Sequence, residues 1–174
     1  MTREGLLDRL AALGLRHTTR DHPAVFRVED GGDLKKTIKG AHTKNLFLKD
    51  ARGRLWLLTA RAEAQVDLKA APARIGAARL SFGSEPLLTE TLGVRPGSVT
   101  PFALVNDPEA RVTLVLDQGL REHEIWNFHP LTNEATTSIA GADFLRFLDA
   151  LGRRPIFADL GPSPDCAAPP RRPS

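Results

Sequence analysis

Tyrosine is absent from this sequence, and cysteine occurs once, at Cys166 in a proline-rich C-terminal stretch. One cysteine rules out an internal disulfide framework and a multi-thiolate metal site, and its place in the tail argues against a cysteine nucleophile. No GxSxG elbow is present to carry a serine nucleophile. Neither a GxxxxGK[ST] nor a GxGxxG phosphate loop occurs, and Gly31-Gly32 reads only as a turn. The histidines are His17, His22, His42, His123 and His129. None forms a helical i, i+4 pair enclosing a glutamate, and His123 with His129 is too small a ligand set, so no metal site is expected. No apolar run approaches the ~18 residues of a membrane span, and the N-terminal "MTREGLLDRLAALG" lacks a signal-peptide pattern. A cytoplasmic enzyme or binding protein is therefore the default expectation, with no membrane association; a monomer is expected.

What is present starts with charge. The net charge is only +3, despite a pI of 9.4, which is a weak argument for a polyanionic partner. The distribution is less even. Between Lys35 and Arg54 seven Lys/Arg stand against one acid, Asp50, and local field rather than net charge attracts nucleic acid. Lys35, Lys36 and Lys39 head this stretch, with Arg74, Arg79 and Arg95 as candidate extensions. The plainer reading is a solvated face.

The stretch continues as "KNLFLKDARGRLWLLTA", two apolar runs around a charged turn with a glycine at the bend, which predicts a hairpin over 46–58. Upstream, Leu6, Leu7, Leu10 and Leu13 predict an amphipathic helix over 2–14, capped by Thr2 and stopped by Gly14. Residues 15–34 read as short, polar and turn-rich. "VDLKAAPARIGA" predicts a helix capped by Asp67, "ARLSFG" a short strand, and "SEPLLTETLG" a helix between Ser84 and Gly93. Strands are expected over 102–106, 111–117, 124–129 and 136–140. An amphipathic helix follows, with Phe144, Leu145, Phe147, Leu148 and Leu151 inward, and "RPIFADL" closes the fold. Helices and strands mix without regular βαβ alternation. The expected class is α+β: one domain over 1–160, a mixed, largely antiparallel central sheet surrounded by helices. Residues 161–174 hold five prolines and are expected to be a disordered tail.

Three features could carry chemistry. Lys44-Asn45 stand at the mouth of a strand, where an ammonium acts as a point charge and an amide both donates and accepts; a lysine there also commonly guards a sheet edge. Gly97-Ser98-Val99-Thr100-Pro101 forms a tight loop that could present backbone N–H groups, or merely connect a helix to a strand. His129-Pro130 ends an apolar strand, and a strand-end histidine serves as a proton carrier or as a hydrogen-bonded edge residue.

Taken in order, "KNLFL", the "GSVTP" loop, and "FHP" followed by "TT" resemble the YbaK/prolyl-tRNA-synthetase-associated editing-domain superfamily. Within it they are similar to the free-standing alanyl-tRNA(Pro) deacylases, over roughly residues 1–160. The resemblance implies a metal-free and cofactor-free enzyme that hydrolyses the ester between a mischarged amino acid and the terminal adenosine of tRNA(Pro). A vicinal ribose hydroxyl then helps the attacking water in place of a protein nucleophile. It implies Lys44, Asn45 and His129 as catalytic residues. Gly97, Ser98, Val99, Thr100, Pro101 and Pro130 would bind substrate, and Lys35, Lys36, Lys39 and Arg79 would bind RNA. Prolyl-tRNA synthetase is a candidate docking partner. The alternatives are a deacylase for another mischarged tRNA, such as Cys-tRNA(Pro), and a non-catalytic RNA-binding module. The second lacks the aromatic platform such modules use, since aromatics make up 6% of the chain.

Overall fold

The two apolar runs on either side of the 51–54 turn do pair, and the sheet is built outward from them. The computed structural model describes residues 1–24 and 37–162. The strands are β1 (His17–Asp21), β2 (Ala41–Asp50), β3 (Leu55–Arg61), β4 (Leu80–Phe82), β5 (Val112–Asp117), β6 (Ile125–Phe128), β7 (Ala135–Ala140) and β8 (Ile156–Ala158). Their order is β1-β7-β6-β2-β3-β5-β8, with β4 added to β2 off this path. The β2–β3, β2–β4, β6–β7 and β1–β7 pairs are antiparallel, whereas β2–β6, β3–β5 and β5–β8 are parallel. The helices are α1 (Arg3–Ala12), α2 (Ala71–Ile75), α3 (Glu85–Leu92) and α4 (Gly141–Ala150), with 3-10 helices at Pro101–Asn106 and Gln118–Glu122. The class is the expected α+β with a mixed sheet.

Period-2 alternation sorts the central strands onto two cores. Leu55 and Leu57 of β3 and Leu114 and Leu116 of β5 join Leu6, Leu10, Phe102, Phe144 and Phe147 in the larger core. Trp56 and Leu58 of β3 and Val115 of β5 point the other way, onto Ala71 and Ile75 of α2. Phe102 is the centre of the larger core. Its ring meets Phe128, Phe144 and Phe147 edge-on, with centroids 5.4, 5.7 and 5.5 Å away. Each fully buried side chain of that kind contributes ~1.5–3 kcal/mol of burial, and the edge contacts add to it.

Local signals placed several helices well. Thr2 Oγ1 accepts from Gly5 N to cap α1, and Ser84 Oγ accepts from Leu87 N to cap α3, which Gly93 terminates. The β2–β3 turn is held by Asp50. Its Oδ1 accepts from Arg52 N and Arg54 N, and its Oδ2 from Trp56 Nε1, Ala78 N and Arg54 Nε. Burial alone would raise this carboxyl, but the bonds from Arg54, Trp56, Ala78 and Arg52 prevail and lower its pKa to about 2.

Four expectations are corrected. Residues 102–106 are a 3-10 helix, not a strand: Pro101 starts it, Thr100 Oγ1 caps Phe102 N, and Phe102, Ala103 and Leu104 are all buried, without strand alternation. A strand, β1, lies in the stretch read as irregular; it pairs with β7 through threonines and carries no apolar signal. The helix expected over 66–77 is regular only at Ala71–Ile75, and Asp67 Oδ1 caps the preceding turn through Lys69 N and Ala70 N. Leu13 is 42% exposed at the end of α1, not inward. The tail from Ser163 onward lies outside the described residues.

Candidate functional site

β2 begins at Ala41, so Lys44 and Asn45 lie within the strand rather than at its entry. The opening is lateral. One edge of β2 pairs with β3 from Thr43 to Lys49. The other edge pairs with β6 only at Ala41 and His42, and with β4 only from Leu48 to Asp50. Residues 43–46 therefore face a gap where β6 has left the strand and the β4 segment has not yet joined it. Thr43 Oγ1 donates to Asn127 O at 2.7 Å across the head of that gap.

Lys44 and Asn45 project to opposite faces, as successive strand residues must. Asn45 sits opposite Thr59, whose hydroxyl donates to Asn45 Oδ1 at 2.6 Å. Lys44 sits opposite Ala60, a member of the smaller core, and its ammonium donates to Ala64 O. The parallel β2–β6 register pairs His42 with Asn127. The pairing stops there, and His129 lies two residues beyond Asn127 where the chain has left β2.

His129 follows the last residue of β6 and is half-buried. Its Nδ1–H donates to Ala135 O at 3.2 Å, which leaves Nε2 as the acceptor of a neutral ring. Burial lowers its pKa from 6.5; the Ala135 hydrogen bond opposes this and nearby His22 adds repulsion. His22 in turn uses Nδ1 on Pro23 O and Nε2 on Thr136 Oγ1, both at 2.8 Å. Pro130 is buried beyond His129, and Leu131 adopts a left-handed φ of 64°.

The Gly97–Pro101 loop reaches the same end of β6 by packing. Gly97 takes φ 87°, Ser98 and Thr100 are buried, and Val99 packs on the larger core. The loop leads directly into Phe102, whose ring contacts Phe128, the residue before His129. Ser98 N is committed to Arg95 O and Phe102 N to Thr100 Oγ1.

Two polar residues escaped the sequence reading. Asn127 is buried, donating through Nδ2 to Lys39 O and Ala41 O while its Oδ1 accepts from Ser138. It fixes how the chain enters β2. His22 reaches His129 through tertiary folding alone, so its local sequence carries no sign of it.

Of the four expected RNA-binding residues, the two that the structure describes lie apart. Lys39 is exposed just before β2, whereas Arg79 is exposed at the far end, its carbonyl accepting from Ala51 N. Lys35 and Lys36 lie outside the described residues. Two sizeable cavities lie away from the β2 gap. One of about 640 Å³ includes Arg61, Asp117 and Arg121, and one of about 1150 Å³ runs along β1 past His17 and Ser138. Neither includes Lys44, Asn45 or His129. Among the described residues no helix is long and apolar enough to cross a membrane.

Comparison with known proteins supplies the context. Residues 22–147 match the family described as aminoacyl-tRNA editing domain. The chain is 41% identical over 157 residues to Prolyl-tRNA synthetase associated domain-containing protein 1 of Danio rerio, covering 89% of this chain and 85% of that protein. It is 32% identical over 151 residues to the prolyl-tRNA editing protein ProX of Acetoanaerobium sticklandii, covering 86% and 92%. The solved structure of hypothetical protein APE2540 superposes with a TM-score of 0.70 at 17% identity, covering 89% of this chain and 97% of that one.

Proposed function

Because the chain belongs to the aminoacyl-tRNA editing domain family of trans-editing deacylases, we propose that it hydrolyses Ala-tRNA(Pro) without a metal or cofactor. The observation that carries this reading is the lateral gap in β2. There a cationic side chain and a polarised amide stand on the two faces of one strand, with a neutral imidazole just beyond the end of β6, and none of the three is a hydroxyl or thiol nucleophile. Such a set positions and stabilises rather than attacks.

In the proposed reaction, water attacks the ester carbonyl and negative charge develops on its oxygen. Lys44 Nζ holds that region by charge, with two N–H groups to spare beyond the one given to Ala64. Asn45 Nδ2 orients the ester, and His129 Nε2 accepts a hydrogen bond from the substrate at the rim, beside Pro130. The loop's amides at Val99 and Thr100 are the candidate donors, because Ser98 N and Phe102 N are already bonded. Collapse of the adduct returns the ribose oxygen, which takes up a proton, and frees the amino acid. The vicinal hydroxyl of the substrate assists the water. Lys35, Lys36, Lys39 and Arg79 contact phosphates of the acceptor end, and prolyl-tRNA synthetase is the candidate docking partner.

The substrate follows from what a synthetase cannot do. A site built for proline forfeits only ~1–3 kcal/mol when alanine enters, so alanine is mischarged. A second site that admits alanine and sterically refuses the ring removes the error. Side-by-side deacylation of Ala-, Ser-, Cys- and Pro-tRNA(Pro) tests the proposal. Alanyl ester should be cleaved and prolyl ester spared. Preference for the cysteinyl ester would place the protein with a different editing specificity, and binding without turnover would make it an RNA-binding module.

A further inference from the structure

Phe82 is 67% exposed, the most exposed of the large apolar side chains among the described residues. It is not on a loose loop. It ends β4, where it pairs with Leu48 of β2. The next amide, Gly83 N, donates to Phe47 O at 3.0 Å. Gly83 lies so close to the Phe47 ring that a Cβ there would stand 2.5 Å from Phe47 Cδ1, so only glycine lets β4 approach this near. Ser84 then caps α3. The phenyl ring is therefore carried on a fixed stretch of backbone.

Its direction follows from register. Antiparallel partners share a face, so Phe82 projects on the side of Leu48, in the smaller core, together with Leu80. Leu46 and Lys44 project on that same side of β2, with Leu46 packed on the smaller core. Lys44, Leu46 and Phe82 make a strip along the open edge. From Leu48 back to Lys44 is four residues, ~13 Å at ~3.3 Å each, and the step between strands is ~5 Å, so Phe82 stands ~14 Å from Lys44.

We propose that Phe82 is a stacking platform for an unpaired base of the tRNA 3′ end, upstream of the ester-bearing nucleoside held at Lys44. This rests on the proposed deacylase function. The separation exceeds the ~3.4 Å rise between stacked neighbours, so the ring takes a flanking base and not the terminal one. A phenyl face accepts any base. The platform fixes the register of the single-stranded end, so that the ester falls at Lys44.

The test compares Phe82→Ala, Phe82→Leu and Phe82→Trp in the full-length protein. Two readouts are used: Kd for a short single-stranded RNA ending in CCA, and KM and kcat on Ala-tRNA(Pro). Phe82→Ala should raise Kd and KM by about five- to a hundredfold and leave kcat within about twofold. Phe82→Trp should retain binding, and its indole fluorescence should be quenched when the oligonucleotide is added. Phe82→Leu, apolar but without a π-face, should resemble Phe82→Ala. Unchanged Kd and KM in Phe82→Ala would overturn the proposal, as would full rescue by Phe82→Leu. A change in oligomeric state with unchanged RNA affinity would overturn it too, by making the ring a protein contact. Absence of turnover in wild type, with Phe82-dependent oligonucleotide binding, would refute the deacylase reading and leave the platform standing.

Discussion

Thr59 Oγ1 donates to Asn45 Oδ1 at 2.6 Å across the β2–β3 pair, and Thr59 itself is fully buried. The bond decides which way the Asn45 amide points. With the oxygen committed to Thr59, the NH₂ end is the one free to meet substrate in the proposed mechanism. In that mechanism Thr59 is a positioning residue, acting through Asn45. Thr59→Val keeps the shape and removes the donor, which forfeits ~1 kcal/mol of orientation and allows the amide to flip. Deacylation should fall several-fold to about tenfold in kcat with little change in KM, whereas Thr59→Ser should stay close to wild type. A Thr59→Val enzyme of full activity would detach the pair from catalysis.

Lys44 rests on the carbonyl of Ala64 in the free protein, which parks the ammonium beside the gap. Its ammonium makes one hydrogen bond, to a backbone carbonyl, and Lys44→Ala should fold normally by circular dichroism. Loss of a charge-assisted contact to a developing oxyanion costs ~3 kcal/mol, or about 10²–10³ in rate. Lys44→Arg should recover only part of this, because a planar guanidinium does not reproduce a compact point charge. Activity of Lys44→Ala within a few-fold of wild type would remove the residue from the mechanism.

Elements with local punctuation were legible in the sequence: the 51–54 turn, the Ser84 and Gly93 ends of α3, and the amphipathic α4. The failures share a cause. Residues 102–106 are a short apolar run in which four consecutive side chains, Pro101 to Leu104, are buried, and such a run has the same composition in a strand and in a helical turn. The polar edge strand β1 takes its stability from Thr19–Thr137 and from backbone pairing with β7, a distant segment. The site divides in the same way. Lys44 and Asn45 could be singled out, but that they face opposite sides of a split sheet edge depends on where β6 and β4 pair with β2. The approach of His22 to His129 is likewise a product of topology.

His129 should show itself in pH dependence. Burial, reinforced by His22, holds its folded pKa below 6.5, while the unfolded chain titrates at the ordinary value. As pH falls below 6.5 the unfolded state binds the proton first. The stability His129 contributes above that pH is therefore lost as pH falls toward and through its folded pKa. In the enzyme the ring stays neutral, with Nε2 accepting, at pH values where a free histidine is already charged. The kcat/KM profile should be flat through pH 6.5 and decline only below it. His129→Gln should be slower and lack that acid limb. A limb centred at or above 6.5 in wild type, or one retained in His129→Gln, would assign the titration to another group.

Asp50 gives the complementary prediction about the scaffold. Its carboxylate joins the β2–β3 turn to Trp56 and to Ala78, which leads into β4, so it holds together the far end of the strand that carries Lys44. Its folded pKa of about 2 lies below the ordinary value of 3.8. The sign is that of a depressed acid: the contribution is fully present above pH 3.8 and is lost as pH falls through about 2. Asp50→Asn keeps the size but cannot accept at both ends, and leaves buried donors such as the Trp56 indole N–H without a partner at ~1–3 kcal/mol. Urea unfolding at neutral pH should show that loss. The gap between Asp50→Asn and wild type should then narrow as the acid is titrated toward pH 2, because the protonated wild-type side chain suffers the same deficit. A difference that stayed constant down to pH 2 would mean that packing, and not the carboxylate's charge, is what Asp50 supplies.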